Sequence, residues 1–250
     1  MDLIANNLHL IVGGGFLIGF LIGITGVGAG SLTTPMLIGI GVDPRIAVGT
    51  DLLFASITKA SAALRHQRLG NVDWPILVWL AIGSLPGAAA MLYWLSMSQA
   101  DTASLVFYIR KVLAITLVVS AIAIALHPWL RKRGPGQDQT VAEMPAHKLP
   151  TALFGVVLGA MVALTSVGAG AIGVAVLTGL YPALMARRIV GTDIVHAVPL
   201  TLVAGMGHAS MGHVDTSLLL ALLAGSVPGI LIGSRITGKI PDWLLRIALA

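Results

Sequence analysis

The feature that most constrains this 250-residue chain is a duplication within its own sequence. Four short blocks occur twice, in the same order, and each second copy follows the first by 140 or 142 residues. The block pairs are Thr25–Gly30 with Thr165–Gly170, Val48–Asp51 with Val190–Asp193, Gly70–Asp73 with Gly212–Asp215, and Gly83–Gly87 with Gly225–Gly229. Four blocks that keep their order predict a fold built from two copies of one structural unit.

Composition indicates that the two units lie in a membrane. The chain is 56% hydrophobic and only 10% charged, whereas a soluble domain carries about 25% charged residues. The absence of cysteine excludes a disulfide framework and thiolate metal sites. The net charge of +5 comes from basic residues in short breaks between apolar runs, without interleaved aromatic residues, so we expect no nucleic-acid partner.

Long apolar runs predict the membrane-spanning helices, because about 20 apolar residues cross a bilayer. The runs are Asp43–Arg65, Val72–Met97, Thr102–Leu126, Leu184–Ser210 and Asp215–Thr237. We expect a last helix to begin at Pro241 and to be truncated at Ala250, compared with its counterpart in the first half. A polar stretch separates the halves, so the predicted domains are repeat 1 at 1–127, a cytoplasmic linker at 128–150 and repeat 2 at 151–250.

The opening segment of each half is interrupted by clustered glycines. The flanking pieces are Leu8–Ile24 and Ser31–Val42 in the first half, and Thr151–Leu164 and Ala171–Leu180 in the second. Each glycine costs a helix about 1 kcal/mol, so the segments should break. If each folds back as a hairpin, ten loop cations lie on one side and Arg45 lies on the other, whereas a single crossing splits the same eleven cations six to five.

The charge distribution therefore favours the hairpin. We predict an all-α polytopic membrane protein of two inverted repeats, each a glycine-broken helical hairpin plus three transmembrane helices. The N-terminus should lie outside and the linker in the cytoplasm.

Each break frees backbone N–H and C=O groups, which inside a bilayer must be satisfied by protein, water or a ligand. The helix after each break begins with free N–H groups and a partial positive charge, which favour an anion. The predicted substrate-binding residues are Thr25, Gly26, Gly28, Gly30, Ser31, Thr50, Thr165, Ser166, Gly168, Gly170 and Thr192. The alternative is that these small residues only allow close packing of helices.

Two acidic residues fall inside predicted spans. Asp51 and Asp193 each lie about 12 Å along their helix, where a carboxylate is expensive and a functional role is the default expectation. His196 follows Asp193 at i+3 on the same helix face, so we predict that these three residues couple transport to protons. Capping of a helix break is an equal alternative for the acids.

Other polar residues near the spans are expected to have structural roles. Lys59 should extend to the cytoplasmic interface, although a positive charge in the anion path is the alternative. Pro86 and Pro228 should kink their helices. The remaining polar residues should serve interfaces and turns: His66, His208, Asn71, Asp73, His213 and Asp215.

The glycine-rich break followed by Gly-Thr-Asp, present in both halves, resembles the TauE/SafE sulfite exporter family of bacterial inner membranes. The resemblance extends over about residues 8–250. It implies a secondary transporter that exports small anions, such as sulfite, sulfonates or related sulfur or carboxylate anions, with coupling to protons. Ser166 replaces Gly26, and His196 replaces Phe54, so the two halves are not equivalent and proton handling would belong to the second half.

Enzyme and nucleotide-binding motifs are absent, including Gly-x-Ser-x-Gly, His-Glu-x-x-His and a Walker loop. We therefore expect neither an enzyme nor a primary pump, and no cofactor or metal. A passive anion channel and a membrane-embedded assembly factor or enzyme stay as alternatives. The expected partners are a small anion, protons and the lipid bilayer. The sequence does not fix the oligomeric state, so a homodimer stays open.

Overall fold

A computed structural model describes residues 2–25, 30–98, 102–131 and 147–236 of the chain. These residues form nine helices and no strand, which confirms the predicted all-α class. The helices are α1 (Asp2–Thr25), α2 (Gly30–Gly39), α3 (Pro44–Arg68), α4 (Trp74–Met97), α5 (Thr102–Arg131), α6 (Lys148–Thr165), α7 (Ala171–Leu180), α8 (Ala186–Ser210) and α9 (Thr216–Ile236). All of them except α2 and α7 are long and apolar enough to cross a membrane.

The predicted spans agree with the helices, with two differences beside the linker. Helices α3, α4, α8 and α9 begin and end within three residues of the predicted bounds. Helix α5, however, continues past Pro128, and α6 begins at Lys148, so both helices extend into the predicted linker. A proline removes only one backbone hydrogen bond and does not always end a helix. Residues 132–146 and the predicted helix from Pro241 lie outside the described residues.

The turns before α4 and α9 are built alike in the two halves. Asp73 and Asp215 cap these helices by accepting from the amide three residues further on, at 3.2 and 3.0 Å. Gly70 and Gly212 have φ angles of 67° and 74°, in the left-handed region that glycine adopts without strain. The assignment of these blocks to turns is therefore confirmed.

Glycines allow α4 to lie directly against α6, and α1 against α9. A Cβ atom at Gly83 would overlap the carbonyl oxygen of Ala152, and one at Gly87 would overlap that of Val156. The same relation holds in the other pair of helices, where the partners are Gly225 with Val12 and Gly229 with Phe16. The Gly-Ser-x-Pro-Gly blocks therefore serve backbone-to-backbone packing, a role that sequence analysis missed.

Helices α3 and α8 form the most buried pair of membrane spans and run antiparallel. Gly49, near the start of α3, packs against His208 near the end of α8, and Gly191 packs against His66 in the same way. Helix α2 packs on α3, and α7 packs on α8. In the repeat, α6 corresponds to α1 and α9 corresponds to α4. The contact of α1 with α9 therefore has a counterpart in the contact of α6 with α4, as two related units require. The inverted orientation of the repeats in a membrane stays a prediction.

Candidate functional site

The second glycine break joins α6 to α7 through residues 166–170. Ser166 ends α6 at φ 60° and donates its N–H to the Val162 carbonyl at 2.8 Å. Gly168 and Gly170 have φ angles of 122° and 123°, a backbone conformation that residues with a side chain rarely adopt. The Thr165 hydroxyl donates to a carbonyl of the preceding turn at 2.8 Å. The sequence thus predicted a real interruption of the helix, and its glycines are conformationally required.

The first break lies mostly outside the described residues. Gly26 and Gly28 belong to that undescribed part. Helix α1 ends at Thr25 and α2 begins at Gly30, and the predicted break between them lies outside the described residues. Substrate binding by Thr25, Gly30 and Ser31 stays a prediction.

Asp51 is the eighth residue of α3, and its side chain is completely buried. Its Oδ2 accepts a hydrogen bond from the Thr34 hydroxyl of α2 at 2.6 Å. The hydroxyls of Thr33 and Ser166 face the same carboxylate without reaching hydrogen-bond geometry. Asp51 Oδ1 has no hydrogen-bond partner among the described residues. The first-half acid therefore reaches the second break.

Asp193 occupies the equivalent eighth residue of α8 and is 1% exposed. Its Oδ1 lies so close to Gly173 of α7 that a side chain there would overlap it. The backbone N–H of Gly170, the N-cap residue directly before α7, faces this carboxylate. Within the described part of the chain, Oδ1 has no hydrogen-bond partner. Both acids therefore lie beside the same break.

Lys59 does not extend to the membrane interface, so that prediction was wrong. Its side chain is 5% exposed, and Nζ donates to the Ala169 carbonyl oxygen of the second break at 3.3 Å. The ammonium interacts electrostatically with Asp51 and with Asp193. One buried cation and two buried carboxylates therefore surround residues 166–170.

The position of Lys59 follows from helix geometry that sequence analysis did not use. Lys59 lies eight residues after Asp51, about 12 Å along α3, and a helical side chain leans toward the helix N-terminus. Because α3 and α8 are antiparallel, Asp51 and Asp193 lie toward opposite ends of the pair, and Lys59 lies between their two levels. An antiparallel pairing assumed in advance would have located the lysine between the two acids.

His196 is buried on α8 but has a different partner from the one expected. Its Nε2 and the Ser84 Oγ of α4 are 2.6 Å apart, and its Nδ1 has no hydrogen-bond partner within the described ranges. The predicted partner on the same helix face was Asp193. The short contact with Ser84 links α8 to α4, and proton coupling by His196 stays a prediction.

The threonines of the two Gly-Thr-Asp blocks contact the opposite half of the chain. Thr50 Oγ1 accepts from the backbone N–H of Asp215 at 3.1 Å, and Thr192 Oγ1 accepts from that of Asp73 at 2.8 Å. These bonds fix the turns before α9 and α4. Within each block the threonine holds a turn while the following acid points into the core, so substrate binding by Thr50 and Thr192 stays a prediction.

A separate polar group lies at the start of α3, next to the turn before α9. Asp43 accepts from the Arg45 backbone at 2.9 Å and from the Arg45 guanidinium at 3.1 Å. The side-chain hydrogen bond from Arg45 lowers the pKa of Asp43 below its ordinary value. Burial lowers the pKa of His213, and the Arg45 cation lowers it further. The described residues contain no cluster of three or more metal-ligating side chains.

The arrangement brings one ammonium, two carboxylates, free hydroxyls and unwound backbone to one place inside the bilayer. Such groups can bind a small charged solute and exchange protons with it. Outside the membrane-spanning core, the polar groups described above hold turns and helix starts.

Comparisons with known proteins agree with a transport role. A family model described as sulfite exporter TauE/SafE matches residues 11–250. The chain is 38% identical to the probable membrane transporter protein YjnA of Bacillus subtilis, over 94% of this chain and 92% of that protein. It is 26% identical to the probable membrane transporter protein MJ0441 of Methanocaldococcus jannaschii, over 97% and 91% of the two chains. No solved structure matches this chain significantly.

Proposed function

We propose that this chain, which belongs to the TauE/SafE sulfite exporter family of multi-pass membrane transporters, is a secondary transporter that exports small anions with coupling to protons. The proposed substrates are sulfite, sulfonates or related sulfur or carboxylate anions. A bacterial inner membrane suits both the family and the seven apolar helices.

The observation that carries the proposal is the pair of buried carboxylates beside one helix break. Asp51 and Asp193 come from different halves of the chain, and both lie against residues 166–170. A buried acid is costly in a membrane protein and is usually kept for a substrate or proton pathway. Two such acids around a cation give a group that can take up and release protons.

The break supplies the groups that an anion needs. Ser166 and Thr33 carry buried hydroxyls without a hydrogen-bond partner among the described residues. Helix α7 begins at Ala171, so its first N–H groups and the positive end of its dipole are directed at the break. A small oxyanion there would accept hydrogen bonds from the hydroxyls and the amides. We expect the first break to approach the same space from the other half.

Coupling follows from charge. With both carboxylates ionised, the site carries an excess of negative charge and repels an anion. Protons that neutralise the carboxylates would remove that repulsion, so anion binding and proton binding favour each other. Two repeats that rock against each other would then expose the loaded site to either side of the membrane.

Transport assays in proteoliposomes test the proposal. Labelled sulfite, methanesulfonate, sulfate and acetate would be offered with and without a pH gradient. We expect at least one of these anions to accumulate when the gradient is imposed. The Asp193→Asn variant should insert normally and lose gradient-driven accumulation. Uptake that ignores the gradient in the wild type would indicate a passive channel instead, and unchanged uptake in the variant would remove Asp193 from the mechanism.

A further inference from the structure

We propose that Lys59, Asp51 and Asp193 form one charge-balanced binding site in which the Lys59 ammonium holds the anion, so that each turnover moves one monovalent anion with one proton. This inference rests on the proposed function and deepens it. It assigns the residue that contacts the substrate, the charge of the substrate and the number of protons carried with it.

Lys59 has the geometry of a substrate-binding residue. Among the described residues it is the one buried cation, and a buried ammonium is kept only where it has a partner. Its hydrogen bond to the Ala169 carbonyl is long, at 3.3 Å, and uses one of its three donors. An oxyanion beside the break would accept from the remaining donors without breaking up the helix pair.

Unpaired polar atoms lie on and beside the two acids that face Lys59. The Oδ1 atoms of Asp51 and Asp193 have no hydrogen-bond partner in the described residues. The hydroxyl oxygens of Thr33 and Ser166 have none there either. These atoms belong to α2, α3, α8 and the second break. Buried polar groups are nearly always hydrogen-bonded, so several unpaired atoms in one place indicate a position where a polar ligand binds.

The charge balance follows from the groups that face Lys59. The charged side chains are Asp51 on its own helix and Asp193 on α8. His196 on α8 also faces the ammonium, and we count it as neutral with Nε2 bonded to Ser84. Helices α2 and α7 carry no charged residue, and Lys148 is the single charge of α6 and is exposed at its far end.

A net charge inside the bilayer is expensive, so both the empty and the loaded site should be neutral. The empty site is neutral when one carboxylate is protonated, because the other balances the lysine. When a monovalent anion binds to the lysine, neutrality requires a proton on the second carboxylate as well. The difference between the two states is one anion and one proton. A divalent anion would leave the loaded site charged and should be excluded.

The second half of the chain has no counterpart of the Lys59 charge. Thr201 occupies the position equivalent to Lys59, and its hydroxyl donates to the Ala197 carbonyl of its own helix at 2.8 Å. The acids, in contrast, are present in both halves. The duplicated unit thus supplies two proton acceptors, and the single lysine makes the site selective for one negative charge.

The first experiment measures stoichiometry in wild-type proteoliposomes with methanesulfonate, whose charge is fixed at one. We expect a pH gradient at zero membrane potential to drive uptake with one proton per anion. A potassium–valinomycin potential at equal pH should drive none, and sulfate should not be taken up. Uptake driven by potential alone, or two protons per anion, would overturn the inference but leave anion transport standing. If no anion is taken up under any gradient, the proposed function itself fails.

The second experiment compares lysine variants. Lys59→Gln should raise the KM for methanesulfonate about 30-fold or more, the equivalent of one charged hydrogen bond of ~2 kcal/mol. Lys59→Arg keeps the charge and should stay within a few-fold of the wild type. Lys148→Gln removes an exposed lysine and should leave KM unchanged. A monodisperse Lys59→Gln protein with wild-type KM would overturn the assignment of Lys59 as the anion-binding residue. If that variant does not fold, the ratio of protons to anions measured in the wild type still tests the inference.

Discussion

The Thr50 hydroxyl of α3 accepts a hydrogen bond from the backbone N–H of Asp215 at 3.1 Å, which fixes the turn before α9 to the central helix pair. The repeat counterpart, between Thr192 and Asp73, holds the turn before α4 at the other end of the pair. The two bonds thus hold opposite ends of α3 and α8. Any motion that opens one end must lengthen the bond at that end.

We predict that Thr50→Val destabilises the protein by about 1–2 kcal/mol, because it leaves the Asp215 amide without its partner. Thr50→Ser keeps the hydroxyl and should be close to wild type. Thermal unfolding in detergent measures the difference. If Thr50 binds substrate directly, Thr50→Val would instead raise KM without lowering the unfolding temperature.

Close packing at Gly83 gives a second prediction. Gly83→Ala should destabilise the chain by about 1–3 kcal/mol, because the new methyl group overlaps the Ala152 carbonyl of α6. Gly13→Ala is the matched control, since Gly13 is an exposed helical glycine with no atom within 4 Å of the added Cβ. Alanine favours a helix, so Gly13→Ala should be neutral or stabilising. Equal unfolding temperatures for the two variants would contradict the packing role.

Features that depend on one helix at a time were predictable from the sequence. Clustered glycines predicted the break at residues 166–170, and the positive φ angles of Gly168 and Gly170 show why glycine is needed there. Apolar run lengths gave the spans, and the depth of Asp51 along α3 gave a buried acid. In each case the cause is local, so one stretch of sequence contains it.

Features that depend on a neighbouring helix were missed or misassigned. Lys59 was assigned to the interface because its own helix end is near, whereas the antiparallel α8 supplies Asp193 as a second acid that faces the ammonium. The close approach of Gly83 to α6 cannot be known before the pairing is known. The contact of His196 with Ser84 joins residues 112 positions apart, and no local pattern predicts it.

The contact between Ser84 and His196 gives a third prediction. Ser84→Ala should cost about 1–2 kcal/mol, because it leaves a buried imidazole nitrogen unpaired. Ser226, the repeat counterpart, donates at 3.4 Å to the Leu223 carbonyl of its own helix, so Ser226→Ala should cost less. Chemical or thermal unfolding of the two variants checks the order. A role of His196 in proton coupling further predicts that the pH profile of uptake changes in Ser84→Ala alone.

The start of α3 gives a prediction about acid stability. The hydrogen bond from Arg45 lowers the pKa of Asp43 below its ordinary value of 3.8. A carboxyl group with a lowered folded-state pKa adds stability above its unfolded pKa, and that stability is lost as the pH falls through the folded value. The contribution should be below about 1 kcal/mol, because the pair is partly exposed.

Asp43→Asn isolates this contribution, since asparagine caps a helix as well as aspartate does. Between about pH 5 and about pH 3 the wild type should lose more stability than the variant. Arg45→Gln removes the cause of the lowered pKa and should flatten the pH dependence in the same way. Unfolding measured at both pH values for the three proteins tests the assignment. Parallel curves for the wild type and both variants would mean that the pair formed by Asp43 and Arg45 does not contribute to stability in acid.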